Sequence, residues 1–306
     1  MEIKDLIIFQ SVAQNGSISK AANELNYVQS HVTARIKTLE SCLQTQLFYR
    51  HSRGTTLNSE GKKLLNYSEK ILSLLDEITK AFHDSEKPSG TLEIGTVESV
   101  MKLPNILSAY HRAYPDVDLT LKTGVTKDLI DLILKCKLDG AFVTGFGMHP
   151  DIEQMEVFKE KLVLISANEN ANFHDLINKP LLVFNSGCCY RSRLENWISD
   201  EGVVNAKIME FGTLETILGS VISGLGISLV PQSTVVHLET EGHLQCHSIP
   251  EKYSSISTVF IRRADSYLTN TMKKFMDTIT EFANTDYPLI NKPIFNVISN
   301  KKLTFL

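Results

Sequence analysis

The sequence predicts a mainly helical N-terminal unit, a long linking helix, and then a two-lobed, doubly wound α/β domain. Three observations lead there. Apolar residues recur at helical spacing from Leu6 to Leu43, with tight-turn residues between the runs. A stretch starting at Asn58 then carries one long apolar stripe. Beyond residue 90, short apolar strands alternate with amphipathic helices. At 306 residues the chain is long enough for two or three folding units.

Leu6, Phe9, Val12 and Ala13 mark the first helix, and Asn15-Gly16 should end it, because glycine enters the left-handed conformation of a C-cap. Ser17 can cap a second helix with an apolar stripe of Ile18, Ala21, Ala22 and Leu25. Asn26 tolerates the left-handed backbone of a tight turn. A third helix carries Val32, Ile36, Leu39 and Leu43 on one face. Two short helices across such a turn form a helix-turn-helix. Residues 47–57 set apolar and β-branched patches either side of a basic, Gly-containing tip, the pattern of a two-stranded wing.

Asn58 then caps a helix running to about His83. Its Leu64, Ile71, Leu75, Ile78 and Phe82 lie near a repeat of about 3.5 residues, interrupted by Ser68. A lone helix with that stripe must bury it, so pairing with a second copy of the chain is expected. Ser85-Glu86-Lys87-Pro88-Ser89-Gly90 is a linker by composition. Candidate strands follow at 92–97, 117–122, 140–144, 161–166, 180–184, 206–211, 226–230 and 255–261, with helices at 103–113, 126–137, 190–199 and 214–223. The expected division is 1–58 for the winged helix-turn-helix, 59–89 for the linker helix and hinge, and 90–306 for the α/β domain. Its first lobe covers about 90–162 and 266–306, its second about 163–265.

The net charge of −4 argues at first against a nucleic-acid partner. Between Lys20 and Lys70, however, eight Lys or Arg stand against four Asp or Glu. A basic end on an acidic body can bind phosphates with that end alone. Five unpatterned cysteines do not form a secreted disulfide framework. With no leader pattern and no long apolar run, the expected location is the cytoplasm, away from membranes.

If Val32, Ile36 and Leu39 face the core, the opposite face of the third helix presents Ser30, Thr33, Ala34 and Lys37, with Gln29 at its start. Small side chains there let the backbone approach base edges in the major groove of double-stranded DNA. Gln can pair with adenine through two hydrogen bonds. Arg50, Arg53 and Lys62 suit phosphates or a minor groove.

Phe9, Gly16-Ser17-Ile18-Ser19-Lys20-Ala21-Ala22, Leu25, Gln29, Val32-Thr33, Ile36, Leu39-Glu40, Leu47-Phe48, Arg50 and Leu57-Asn58 with Gly61 together resemble the LysR-type transcriptional regulators. Leu92-Glu93-Ile94-Gly95, Leu138-Asp139-Gly140-Ala141 and Gly224-Leu225-Gly226-Ile227 with Pro231 extend the likeness along the chain. The resemblance implies a winged helix-turn-helix, a linker-helix dimer, usually a tetramer, and an effector domain similar to periplasmic solute-binding proteins. It implies no catalysis, cofactor or metal. It places Ser17, Ser19, Gln29, Ser30, His31, Thr33, Ala34, Arg35, Lys37, Arg50 and Arg53 at the DNA. A ligand would close the lobes, reorient the dimers and alter recruitment of RNA polymerase. The sequence departs from the family pattern at Val28 and Ser30, where Ser and Pro are usual, and at Ala34, where an Arg is common. Those changes bear on the operator sequence.

In a two-lobed α/β domain a ligand sits at strand C-termini, where helix N-termini offer N–H groups. Thr96, Ser99, Thr126, Thr144, Ser186 and Thr213 fall at such places, which suits a small polar or anionic effector. Ser and Thr are also the default helix caps. Cys188-Cys189 lies on the same predicted rim beside Tyr190, Arg191 and Arg193, so a thiol-dependent enzyme or a redox sensor is the alternative reading. No local motif supplies such an enzyme's His and oxyanion hole.

Overall fold

A computed structural model describes residues 1–51, 54–82, 84–167, 173–203 and 205–284. The chain forms two compact units: Met1–Asp84 with Leu132–Lys137, and Ser85–Asp131 with the chain from Leu138 onward.

The first unit begins with helices α1 (Ile3–Asn15), α2 (Ile18–Glu24) and α3 (Gln29–Cys42). Gly16 ends α1 at φ 60° and donates its N–H to Val12 O. Ser17 Oγ accepts the Lys20 N–H at the start of α2, and Asn26 takes φ 55° in the turn before α3. Val28 precedes α3 in extended backbone and gives no side-chain cap. Val32, Ile36 and Leu39 pack with Phe9, Val12, Ala21 and Ala22 in one core.

The wing follows as antiparallel strands β1 (Phe48–His51) and β2 (Gly54–Leu57), with Phe48 opposite Leu57. Its expected basic tip, including Arg53, lies outside the described residues. The wing docks on the α1–α2 turn through a Thr55 N–H donated to Gly16 O at 2.8 Å. Gly54 has φ 138°, and a Cβ there would lie 2.3 Å from Gly16 O, so only glycine allows this approach.

Asn58 Oδ1 accepts the Gly61 N–H at 2.8 Å and starts α4 (Ser59–Phe82). The expected last residue, His83, lies outside the described set. Leu64 and Leu65 pack on the N-terminal core, and Ser68 is buried, bonded to Leu65 O. Further along, Tyr67, Ile71, Leu74, Ile78 and Phe82 form an exposed stripe. Leu74 is exposed on this side, whereas the expected Leu75 is half-buried.

The second unit contains β3 (Gly90–Thr96), α5 (Leu103–Ala113), β4 (Val117–Thr123), α6 (Thr126–Leu134), β5 (Gly140–Thr144), β6 (Ile152–Ala167), α7 (Phe173–Ile177), β7 (Leu181–Val183), α8 (Cys189–Asp200), β8 (Ile208–Glu210), α9 (Leu214–Ile222), β9 (Ser228–Pro231), α10 (Val236–Thr240), β10 (Leu244–His247), α11 (Glu251–Ser254), β11 (Ser255–Arg263) and α12 (Asn270–Ala283). The main sheet runs β10-β6-β11-β5-β3-β4, with β9 also on β6; β7 pairs β8 apart from it. β3 is parallel to β4 and β5, whereas β11 is antiparallel to β5 and β6.

Strand β6 belongs to both lobes. Residues 152–161 pair with β11, and residues 162–167 with β9 and β10. The expected strand at 161–166 is only its C-terminal, continuously buried half. In the preceding half only Ile152 and Val157 are buried, and a register irregularity at Val157 breaks the alternation, so its apolar signal is thin. β10, four residues long, was not among the expected strands.

Phe142, Phe260, Phe275 and Tyr110 interlock at the centre of the first lobe, the ring of Phe275 lying 5.0, 5.7 and 6.3 Å from those of Tyr110, Phe260 and Phe142. Trp197 and the buried run Leu162–Ile165 belong to the second lobe's core. Residues 285–306, which include the tail expected to complete the first lobe, lie outside the described residues. Phe275→Ala should empty this aromatic cluster and cost about 3–5 kcal/mol, measured by denaturant unfolding of the whole chain.

Candidate functional site

Two surfaces collect the functional residues. On α3 the buried stripe turns Gln29, Ser30, His31, Ala34 and Lys37 outward, and all five are exposed. Thr33 is half-buried and donates its hydroxyl to Gln29 O at 2.9 Å. Ser19 Oγ, exposed on α2, donates to Gln29 Oε1 at 2.9 Å. That bond fixes the amide plane, leaving the amide N–H groups and a second lone pair of Oε1 for a base edge. Ser17 has a different task, since its hydroxyl caps α2.

The basic residues divide. Lys37 is exposed, whereas Arg35 is tied down: its Nη2 lies 2.6 Å from Glu2 and its Nε 2.6 Å from Asp5. The hydrogen bond from Arg35 lowers the Glu2 carboxyl below its ordinary value. The Asp5 side chain is 2% exposed, so Arg35 supplies the countercharge of a buried carboxylate. Arg50 pairs at 3.4 Å with Glu40, whose other oxygen accepts the Leu47 N–H. Glu2 and Asp5 were not singled out in the sequence, although an Asp within the buried stripe of α1 was an available signal, and Glu40 was noted only within the family pattern.

The second surface is a cavity of about 320 Å³ between the lobes of the α/β domain. Val97, Glu98, Ser99, Thr123, Gly124, Val125, Asp128 and Thr144 line it from one side, and Phe184, Asn185, Cys188, Tyr190 and Gly212 from the other. Three hydrogen bonds join the lobes here. Ser99 Oγ and Tyr190 OH are 2.5 Å apart, Thr144 Oγ1 and Cys189 Sγ are 3.0 Å apart, and the Leu214 N–H donates to Glu98 at 2.6 Å. The last closes the N-terminus of α9 with a carboxylate from the opposite lobe.

Of the six expected effector residues, Ser99 and Thr144 line the cavity. Thr96 and Thr126 are buried behind it, their hydroxyls donated to Val97 O and Thr144 O. Ser186 and Thr213 are exposed and off the lining; Thr213 caps α9 by accepting the Thr216 N–H. Glu98, Asp128, Asn185 and Tyr190 carry much of the polar lining. They stand beside the strand ends and helix starts already singled out, but as acid, amide and phenol rather than Ser or Thr.

Arg191 and Arg193 are engaged outside the cavity. Arg191 binds Glu195, Glu210 and Phe184 O, and Arg193 binds the carbonyls of Tyr253 and Ser255. The Cys188 thiol lies below its ordinary range because Cys189 hydrogen-bonds to it, with the Tyr190 and Arg191 N–H groups assisting against burial. The same bond and burial raise Cys189. Burial also raises the Tyr190 phenol. Among the described residues no His lines the cavity. Among them, too, no group of three or more His, Cys, Asp or Glu is placed to hold a metal.

Residues 3–62 match the bacterial regulatory helix-turn-helix of the LysR family, and residues 85–284 match the LysR substrate-binding domain. The chain belongs to the LysR family. It is 62% identical over 285 residues to the HTH-type transcriptional regulator SoxR of Arthrobacter sp. (strain TE1826), covering 93% of this chain and 99% of that protein. It is 52% identical over 284 residues to the HTH-type transcriptional regulator CzcR of Bacillus subtilis (strain 168), covering 93% and 99%. The crystal structure of CbnR, a LysR family transcriptional regulator, shares the fold at TM-score 0.67 and 19% identity over 93% of this chain and 100% of that one. CbnR has also been solved full-length with its target DNA, at TM-score 0.67 and 19% identity over 92% and 100% of the two chains. This LysR regulator is therefore a DNA-binding transcriptional regulator with a substrate-binding domain. Among the described residues no helix is long and apolar enough to cross a membrane.

Ser99→Ala and Tyr190→Phe should each destabilise the α/β domain by about 1–3 kcal/mol by leaving one buried hydroxyl unpaired. The double variant should lose less than the sum, as a double-mutant cycle by denaturant unfolding would read.

Proposed function

We propose that α3 reads an operator in the major groove, with Gln29 as the principal base reader and Ser30, His31, Thr33, Ala34 and Lys37 beside it. The exposed, small-featured face of α3 carries this reading: nothing among the described residues of the chain covers it. Ser19 acts by holding Gln29. Arg50 and Lys62 contact phosphates, and Arg53, outside the described residues, is expected to join them. Arg35 holds the domain together through Asp5 instead of reading bases. CbnR, solved on its target DNA, supports a shared use of the fold.

The working unit is an oligomer. Tyr67, Ile71, Leu74, Ile78 and Phe82 along α4 form the seam of a dimer, since so continuous an apolar stripe is costly in water. Two such dimers make a tetramer. The functional division follows residues 1–58, 59–89 and 90–306. The crevice around Ser99, Thr144 and Tyr190 takes a small polar effector. Binding there changes the balance between open and closed lobes, and so the arrangement of the DNA-binding units and the recruitment of RNA polymerase. A ligand can do this only by preferring one lobe arrangement. The protein acts in the cytoplasm and without catalysis.

Genomic fragments retained by the purified protein supply the operator for a direct test. Gln29→Ala should lower discrimination between that operator and a scrambled duplex by about 1–3 kcal/mol. Lys62→Ala should weaken both duplexes alike and flatten the salt dependence by about one phosphate contact. Equal losses on both duplexes for Gln29→Ala would overturn the base-reading role. Replacing Leu74 and Ile78 by Arg should shift sedimentation toward the monomer, and unchanged sedimentation would overturn the α4 seam.

A further inference from the structure

We infer that the crevice selects a ligand carrying a positively charged nitrogen, held between the carboxylates of Glu98 and Asp128 against the rings of Phe184 and Tyr190. The inference rests on the crevice being the effector site and adds the chemical class of its ligand.

Three features of the cavity point the same way. Its lining includes two carboxylates and, among the described residues, no Lys, Arg or His. An anion would meet like charge from Glu98 and Asp128. The N-terminus of α9, which could attract an anion, is also taken by the chain's own groups. Glu98 accepts the Leu214 N–H at α9, and Thr213 accepts the Thr216 N–H. Asp128 stands in the first turn of α6. The nearby guanidinium groups of Arg191 and Arg193 are bound elsewhere.

The third feature is aromatic. Phe184 and Tyr190 line the cavity with ring centroids 6.1 Å apart and planes tilted by 56°. Aromatic faces beside carboxylates are the chemistry that holds ammonium groups, because the ring quadrupole attracts a cation. The volume of about 320 Å³ suits a compact amine. Glu98 also joins the two lobes, so a cation that pairs with it acts directly on their closure.

The test uses the full-length protein and matched probes: benzylamine with benzoate, and butylamine with butyrate, with benzyl alcohol as the neutral reference. Calorimetry or native mass spectrometry should show the amines binding at least about tenfold tighter than the carboxylates, as a charged hydrogen bond allows. Glu98→Gln keeps an oxygen for the Leu214 N–H while removing the charge. This variant and Asp128→Asn should each cut that preference, and the double variant should abolish it while thermal unfolding stays close to that of the parent. Carboxylates binding as tightly as amines, an amine preference that survives the double variant, or no binding by any probe overturns the inference. The same samples are assayed on the selected operator. Retained operator binding leaves the regulator reading standing whatever the amines do, and absent operator binding refutes that reading by itself.

Discussion

Burial of Val32, Ile36 and Leu39 against Phe9 and Val12 fixes the roll of α3 about its own axis. Everything said of DNA recognition depends on that rotation. A helix advances about 100° per residue, so a one-residue change in which positions are buried would carry Gln29 and Lys37 off the outward face. The rotation is held at two points. The Ser19–Gln29 hydrogen bond ties the start of α3 to α2, and Arg35 ties its middle to Asp5 on α1 and to Glu2 just before it. The wing is clamped to the same framework because Gly54 can approach Gly16 O where no other residue fits. Apolar packing thus sets the orientation, and polar bonds of fixed direction sharpen it.

Much of this was legible in the sequence because it is periodic. The three N-terminal helices, the Gly16 cap, the Asn26 turn and the Asn58 cap each follow from local spacing and backbone chemistry. The buried strand at 140–144 was equally plain, an Ala141-Phe142-Val143 run opened by Gly140 and closed by Thr144. What escaped was whatever depends on a distant partner. The first half of β6 is a strand because β11 pairs with it, and its exposed Glu153, Gln154 and Glu156 hide that in one dimension. Along α4, Leu74 is exposed and Leu75 half-buried, a difference that depends on what packs beside the helix and not on spacing.

The crevice shows the same division more sharply. Its place, at strand ends and helix starts, came from topology. Its chemistry did not, because Ser and Thr at those positions proved in part to be structural. Thr96, Thr126 and Thr213 spend their hydroxyls on the backbone. The polar character of the lining comes also from Glu98, Asp128, Asn185 and Tyr190, which have no spacing pattern to announce them. Two cysteines adjacent in sequence end in different settings, one thiol facing the cavity and the other bonded to Thr144 across the lobe boundary.

Strand β6 serves both lobes without a break, and this constrains how the gene can change. Past the irregularity at Val157 side chains alternate between faces, so inserting or deleting one residue within 158–167 would invert the facing of everything beyond it. The irregular segment at 145–151 just before it carries no such penalty. Length variation among descendants of this chain should therefore collect in that segment, leaving the shared strand at a constant sixteen residues.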